Sequence, residues 1–217
     1  MLKPLGDSAL LVELGNKIDS AINQRVHALN ALLQANSIAG IVETVPAYCT
    51  LLIHYDPLTL TFNQVTHWVQ DKLTQVDDSL NRKPRHLEVP TRYGGASGSD
   101  LEAVAVSKGI SAADVVRIHS EREYTVYMMG FTPGFPYLGT LDERLIMPRM
   151  DTPRTLVKAG SVAIAGSQTG IYPLDSPGGW RIIGWTELKL FDSLSASPFL
   201  FLPGDVVKFI PVEDNHA

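Results

Sequence analysis

Two segments rich in glycine and proline, Gly130–Gly139 and Gly160–Trp180, most constrain the fold of this chain. The first, GFTPGFPYLG, holds three glycines, two prolines and three aromatic residues within ten positions. Neither segment can continue a helix, because proline lacks a backbone N–H and clashes with the preceding turn, and glycine costs backbone entropy there. The first segment is also too aromatic for an ordinary solvated loop, so we predict a rigid apolar loop.

The second half of the chain has the pattern of a β-protein. Short apolar runs alternate with Gly- and Pro-rich turns, which indicates a closed β-barrel or a sandwich. Before these runs, His86–Arg92 predicts a strand, and the segments Asp100–Lys108 and Ser111–Ser120 predict short helices. The apolar runs read YTVYMM, SVAIA, RIIGW, LKLF and VVKFI.

The first half alternates strand and helix signals instead. Apolar residues recur at helical spacing, and the order β-α-β-β-α, with a further strand that could follow, is close to a ferredoxin-like split βαβ unit. The polar stretch Asp77–His86 predicts a boundary between domains at 1–80 and 86–217, and the fold class is therefore α+β. The predicted strands are Leu10–Leu14, Ile41–Val45 and Thr50–Tyr55, and the predicted helices are Asn16–Asn36 and one capped by Thr61.

Composition excludes several classes of protein. The net charge of −5 argues against a surface for nucleic acid or anionic membrane, since both require a basic patch. The chain has one cysteine, Cys49, and lacks Cys or His pairs at metal-ligand spacing, so we expect neither a disulfide within the chain nor a metal site. No run is long and apolar enough for a membrane helix, and the first residues do not read as a signal peptide, which favours the cytoplasm.

Three candidate chemistries remain open from the residues themselves. The polar groups within Gly160–Trp180 could form a binding site on a rigid backbone, although tight barrel corners are the more frequent use of such residues. His119, with Glu121 and Glu123 nearby, could act as a general base, but a solvated helix end is the favoured interpretation. Arg154, within a basic run that includes Arg149 and Lys158, could meet an anionic group or simply be exposed.

Two further sites are weak on sequence grounds. A triad of Ser176, His119 and Asp175 lacks the GxSxG elbow that would support it. Neither glycine-rich segment matches GxxxxGK[ST] or GxGxxG, so we predict no cradle for nucleotide phosphates in this chain.

Three strings resemble the allophanate hydrolase subunit 1 family: GFTPGFPYLG, PRTLVKAGSVAIAGSQTGIYP and SPGGWRIIG. The resemblance extends to GDSALLVELG near the start of the chain and to VPTRYGG at Val89–Gly95. That family includes the B subunit of bacterial 5-oxoprolinases and the histidine-kinase inhibitor KipI, and the resemblance is nearest to the 5-oxoprolinase branch. It implies a small α/β domain followed by a cyclophilin-like β-barrel.

The resemblance also implies a function. A subunit of this kind would act with the A and C subunits, the latter of the allophanate hydrolase subunit 2 type, to open the lactam of 5-oxo-L-proline to L-glutamate with ATP hydrolysis. ATP would lie largely on or with the companion, and the chain alone would be inactive. The aromatic loop and the SPGGW turn would line one edge of the barrel and face the companion. The expected substrate or interface residues are His119, Phe131, Phe135, Tyr137, Arg154, Gln168, Tyr172, Ser176 and Trp180; the catalytic residues are not assigned.

Alternative functions stay open at this stage. A kinase inhibitor like KipI would share these motifs and would need only a rigid apolar patch. A component of a related amide hydrolase or carboxyltransferase would share them as well. Prolyl isomerase activity has only the barrel fold in its favour, and a fold does not by itself carry a function.

Overall fold

The computed structural model of the protein describes residues 1–77 and 83–213. The chain folds into two compact units, Met1–Lys83 and Pro84–Ala217. The point of division lies in the predicted boundary Asp77–His86, of which 78–82 fall outside the described residues. The predicted domain limits of 1–80 and 86–217 stay a prediction.

The first unit is an antiparallel sheet with two helices. Its sheet order is β1-β2-β4-β3, so that β4 lies between β2 and β3 as in a split βαβ unit. The helices bury their apolar faces in one core with the sheet. The buried residues of this core include Val26 and Leu29 of α1 and Val65 of α2. The elements are β1 Leu2–Pro4, β2 Ala9–Glu13, α1 Ser20–Ala35, β3 Ile41–Pro46, β4 Thr50–Tyr55 and α2 Phe62–Leu73.

Local capping signals set the starts of both helices. Asp19 accepts hydrogen bonds from the backbone N–H groups of Ala21 and Ile22, at 3.0 and 3.1 Å, so α1 begins at Ser20 and not at the predicted Asn16. The predicted cap at Thr61 is confirmed, since Thr61 and Gln64 form a reciprocal capping box.

The fourth strand of this sheet is β1, which precedes β2 in the chain. The sequence suggested instead that a further strand could follow α2. Three residues with little alternation carry too weak a pattern to be read as a strand, and it is their pairing with Leu10–Val12 that fixes them.

The second unit is a closed barrel with two helices packed against it. Among the described residues, the barrel order is β10-β7-β6-β13-β5-β12-β9, and β11 pairs with β8 in a separate ribbon. The elements are β5 His86–Tyr93, α3 Leu101–Lys108, α4 Ala112–Glu121, β6 Glu123–Met129, β7 Pro136–Gly139, a 3-10 helix Glu143–Leu145, β8 Arg154–Val157, β9 Ser161–Ala165, β10 Gln168–Ile171, β11 Ser176–Gly178, β12 Arg181–Trp185 and β13 Val206–Pro211.

One parallel pair closes the barrel. Strand β13 lies between β5, to which it is parallel, and β6, to which it is antiparallel. An ion pair precedes both parallel strands: Nη2 of the exposed Arg85 lies 2.5 Å from Oδ2 of the buried Asp205. The backbone N–H of Leu202 also donates to that carboxylate, at 2.8 Å, which satisfies the buried charge.

The predicted α+β fold, an α/β unit followed by a closed barrel, is confirmed. Two further local predictions were wrong. The aromatic stretch is not loop throughout, because Pro136–Gly139 forms strand β7 of the barrel. The run LKLF is not a strand, because Phe191 makes only an isolated bridge with Phe199. Leu190 is buried, so the alternation of apolar residues here reflects packing in the core and not the hydrogen-bonded pairing of a strand. Among the described residues, no helix has the length and apolar character of a membrane span.

Candidate functional site

A cleft of about 270 Å³ brings the aromatic stretch and the SPGGW turn together. We call it the aromatic pocket. All of its lining residues belong to the second unit. They are Phe131, Phe135, Tyr137, Arg149, Pro153, Tyr172, Pro177, Gly178, Gly179 and Trp180.

Phe135 is the centre of the pocket floor. Its ring centroid lies 4.9 Å from that of Tyr137, 5.2 Å from Tyr172 and 5.4 Å from Trp180, and its contacts with the last two are edge-to-face. Phe135, Tyr172 and Trp180 are buried, whereas Phe131 is 61% exposed. The floor is therefore a fixed aromatic cluster, and Phe131 is a wall that stands in solvent.

Glycines allow the rings to approach the backbone this closely. A Cβ at Gly170 would lie 2.9 Å from Cζ of Phe135, and one at Gly178 would lie 2.3 Å from the hydroxyl oxygen of Tyr172. Gly178 is part of β11, and its neighbour in that strand, Pro177, also lines the pocket. The glycine and proline content of these segments thus provides room for an aromatic floor as well as turns.

Phe131 has an unusual backbone conformation. Its φ is +66°, in the left-handed region that costs a residue with a side chain about 1–2 kcal/mol. Two turn hydrogen bonds hold the segment, from the N–H of Thr132 to Gly130 O at 2.8 Å and from the N–H of Phe135 to Thr132 O at 3.1 Å. A strained backbone that presents an exposed ring is typical of a functional loop.

Arg149 gives the pocket a positive charge. It is exposed, and its guanidinium makes no hydrogen bond or ion pair within the part of the chain that the structure describes. Burial raises the pKa of Tyr137 and of Tyr172, and the Arg149 cation opposes that rise at both hydroxyls. The positive charge therefore acts on the polar groups of the floor.

Arg154, the sequence candidate for an anionic group, is engaged elsewhere. Its Nη2 lies 2.6 Å from Oδ1 of Asp100, whose Oδ2 accepts from the backbone N–H of Ile182 at 2.7 Å. Asp100 is buried and Arg154 is not a lining residue of the pocket. This ion pair stabilises the approach of β8 and α3 to β12, and it leaves Arg149 as the cation at the aromatic floor.

His119 lies in the core of the second unit, fully buried. The interpretation of a solvated helix end was wrong for this residue, because its ring packs on Phe209 with centroids 4.5 Å apart. Burial lowers the pKa of His119 to about 3. The ring is therefore neutral, and it contacts neither Glu121 nor Glu123 by any hydrogen bond among the described residues.

The tautomer of His119 follows from its neighbours. The hydroxyl of Thr169 donates to Ala163 O at 3.0 Å, so its oxygen accepts from Nε2–H of His119 at 2.9 Å. Nδ1 is then the acceptor for the Tyr93 hydroxyl at 2.7 Å. This chain of hydrogen bonds joins β5, α4, β10 and β9 through the core, and it holds β10 beside the pocket floor.

Gln168 and Ser176 begin strands β10 and β11 and do not line the pocket. The hydroxyl of Ser176 is buried and has no hydrogen-bond partner among the described residues. Asp175 accepts from the backbone N–H of Ala159 at 2.8 Å, so the triad considered from sequence is not assembled. Of the nine candidates, the structure brings five together in the pocket: Phe131, Phe135, Tyr137, Tyr172 and Trp180.

Five lining residues were not among the candidates expected from the sequence: Arg149, Pro153, Pro177, Gly178 and Gly179. The basic run contained Arg149, but spacing alone does not separate it from Arg154; only the position of Asp100 does so. Among the described residues, no group of His, Cys, Asp and Glu side chains could hold a metal ion.

A scan against known families matches residues 1–201 to the carboxyltransferase domain, subdomain C and D. The chain is similar to the B subunit of the 5-oxoprolinase of Bacillus subtilis, with 39% identity over 228 residues, which is 100% of this chain and 95% of that protein. It is 40% identical to the corresponding 5-oxoprolinase B subunit of Escherichia coli O157:H7 over 212 residues, 97% of this chain and 95% of that one.

Among solved structures, the chain is similar to TTHA0988, with a TM-score of 0.83 and 37% identity. The match covers 94% of this chain but 39% of that chain, so this protein spans about two fifths of the length of TTHA0988. The shared fold therefore occurs within longer proteins as well.

Proposed function

This chain belongs to the family of the carboxyltransferase domain, subdomain C and D, and from that membership we propose that it serves as the B subunit of an ATP-dependent 5-oxoprolinase. The observation that carries the proposal is the identity of 39% and 40%, over nearly the whole length, to two proteins named as B subunits of 5-oxoprolinase. The reaction adds water to the lactam of 5-oxo-L-proline and yields L-glutamate, with ATP hydrolysis activating the lactam carbonyl.

The nucleotide is expected to bind on a companion protein. The sequence lacks a GxxxxGK[ST] loop, which usually cradles nucleotide phosphates. We therefore expect ATP to bind largely on or with the A and C subunits, and we expect this chain to be inactive alone. Its own contribution is the aromatic pocket, which supplies a rigid apolar surface with one cation at its wall.

We propose that Phe131 and the SPGGW turn face the C subunit. An exposed aromatic ring on a rigid loop offers a large contact area with few rotatable bonds, and Pro133 and Pro136 reduce the entropy that the loop loses on binding. Phe135 is buried, so its contribution is to support the floor and not to contact a partner.

Reconstitution tests the function. ATP hydrolysis stimulated by 5-oxo-L-proline and the formation of glutamate are measured with the A and C subunits from the same source, with this chain present and omitted. We expect both activities to depend on this chain. Full activity without it would overturn the proposal, and absence of any complex with the C subunit would favour a KipI-like inhibitor of a histidine kinase.

A pair of variants tests the interface separately. Phe131→Ala should weaken the complex with the C subunit, whereas Leu194→Ala, which removes an exposed apolar side chain outside the pocket, should leave it unchanged. Affinity is measured by titration of the labelled chain with the C subunit. Equal affinities for the two variants would contradict the assigned face.

A further inference from the structure

The aromatic pocket is complete within this chain. All ten lining residues come from the second unit, and the volume of about 270 Å³ lies just below the range of sites for drug-sized ligands. The pocket is therefore matched to a small molecule. Because its floor is held by ring contacts and close glycines, it is formed before any ligand binds.

The charge of the pocket lining favours a ligand with an anionic group at one end. Arg149 is its only charged member, and there is no carboxylate among the ten. The neighbouring cation, Arg154, is neutralised by Asp100 at 2.6 Å, whereas Arg149 has no such partner in the described part of the chain. A guanidinium in this state is suited to a carboxylate, which it can bind through two parallel hydrogen bonds.

The aromatic floor of the pocket favours a ligand whose other end is a small apolar ring. The rings of Phe135, Tyr137 and Trp180 form an apolar surface with polar tips, against which a small flat ring can lie. Phe131 stands over this floor, with its centroid 6.3 Å from that of Tyr172, and limits the size of the ligand.

We infer that the aromatic pocket binds a small cyclic carboxylate, with the ring on the aromatic floor and the carboxylate on Arg149. The choice of 5-oxo-L-proline as its ligand rests on the proposed function; the assignment of Arg149 rests on the pocket alone. Arg149 is thus the residue that selects an anionic ligand over a neutral lactam.

The first test uses the isolated full-length chain. NMR titration with 5-oxo-L-proline should shift the amide signals of Gly178 and Gly179 and the indole signal of Trp180. The probe 2-pyrrolidinone, the same lactam ring without a carboxylate, should bind at least about tenfold more weakly, the difference expected for one charge-assisted hydrogen bond.

The variants make this test specific. Arg149→Gln should abolish the difference between the two probes, and Arg149→Lys should retain part of it. Lys158→Gln, which removes an exposed cation outside the pocket, should leave it intact. Equal discrimination in wild type and Arg149→Gln, or shifts confined to residues outside the pocket, would overturn the inference.

The assembled enzyme separates this inference from the proposed function. With the A and C subunits, Arg149→Gln should raise KM for 5-oxo-L-proline by about tenfold or more and change KM for ATP by less than about twofold. A variant with unchanged KM would refute the role of Arg149 while activity still depended on the chain. Activity that does not depend on the chain at all would refute the proposed function, whatever the titration shows.

Discussion

The hydroxyl oxygen of Tyr93 lies 2.7 Å from Nδ1 of His119, and this contact fixes a neutral imidazole in the core of the barrel unit. With Nε2–H donated to Thr169, both ring nitrogens are satisfied without a charge. In the neutral ring, Nδ1 accepts a hydrogen bond from the Tyr93 hydroxyl. Protonation would turn Nδ1 into a donor and would place a charge in an apolar surrounding.

The stability of the second unit should therefore depend on pH through His119. Its folded pKa of about 3 lies below the ordinary value of 6.5, so the unfolded chain binds the proton first. This stability is fully present above pH 6.5 and is lost as the pH falls toward 3, at up to about 1.4 kcal/mol per pH unit. Between pH 7 and 5 the loss should be about 2 kcal/mol.

Urea unfolding at pH 7, 6 and 5 measures this loss. A Trp68→Phe background confines the tryptophan fluorescence to Trp180 and Trp185 of the second unit. His119→Gln should be less stable at pH 7 because of its core position, but should show a smaller loss toward pH 5. The same loss in both proteins would assign the pH dependence to other groups.

Two substitutions at Phe131 should differ in stability. Both Phe131→Gly and Phe131→Ala remove the exposed ring, but only glycine adopts a φ of +66° without strain. We expect Phe131→Gly to be the more stable of the two by about 1 kcal/mol, after the entropy that glycine adds to the unfolded chain. Thermal or urea unfolding of the pair decides, and a more stable alanine variant would show that the backbone relaxes away from this conformation.

Removal of Arg154 should reduce stability and not ligand discrimination. Arg154→Gln leaves the buried Asp100 without its cation, at an expected cost of about 2 kcal/mol in the free energy of unfolding. Arg117→Gln, which removes an exposed partner of Asp114 and Glu121, is the matched control and should change stability little. Urea unfolding compares the two, and loss of carboxylate discrimination in a stable Arg154→Gln chain would contradict the structural role.

Neighbouring glycines of the SPGGW turn should respond differently to alanine. A Cβ at Gly178 would lie 2.3 Å from the Tyr172 hydroxyl, whereas the nearest atom to a Cβ at Gly179 is 3.6 Å away. Gly178→Ala should cost about 1–3 kcal/mol and displace Tyr172, because the buried ring has little room to move. Gly179→Ala should be nearly neutral.

The measurement is the free energy of unfolding together with the NMR signals of the pocket. Displaced floor signals in Gly178→Ala alone are the expected result. Similar behaviour of both variants would mean that the floor adapts to a methyl group, and that its rigidity is less than the ring contacts indicate.

Local rules predicted much of this fold. Thr61 was identified as a helix cap, and the predicted helices Asp100–Lys108 and Ser111–Ser120 lie within one residue of α3 and α4, because caps depend on residues within one turn. The strands SVAIA and RIIGW were placed to the residue, since glycines flank the first and the SPGGW turn precedes the second. In such positions the determinants of structure lie beside the residue in the chain.

Tertiary contacts decided the remainder. The charges near His119 in sequence do not touch it, and its true partners, Tyr93 and Thr169, lie 26 and 50 residues away. The role of Arg154 depends on Asp100, 54 residues distant, which no spacing rule connects to it. For the site, the sequence therefore indicated the aromatic floor but not which cation serves it.

The position of β13 between β5 and β6 has a consequence for synthesis on the ribosome. Until Val206–Pro211 has emerged, β5 and β6 of the nascent chain each have an unpaired edge, and the barrel is open. The first unit has all its described strands long before, so it can fold while translation continues. Closure of the second unit thus has to wait for the synthesis of β13, and a ribosome that stalls before Val206 would present an open sheet to chaperones.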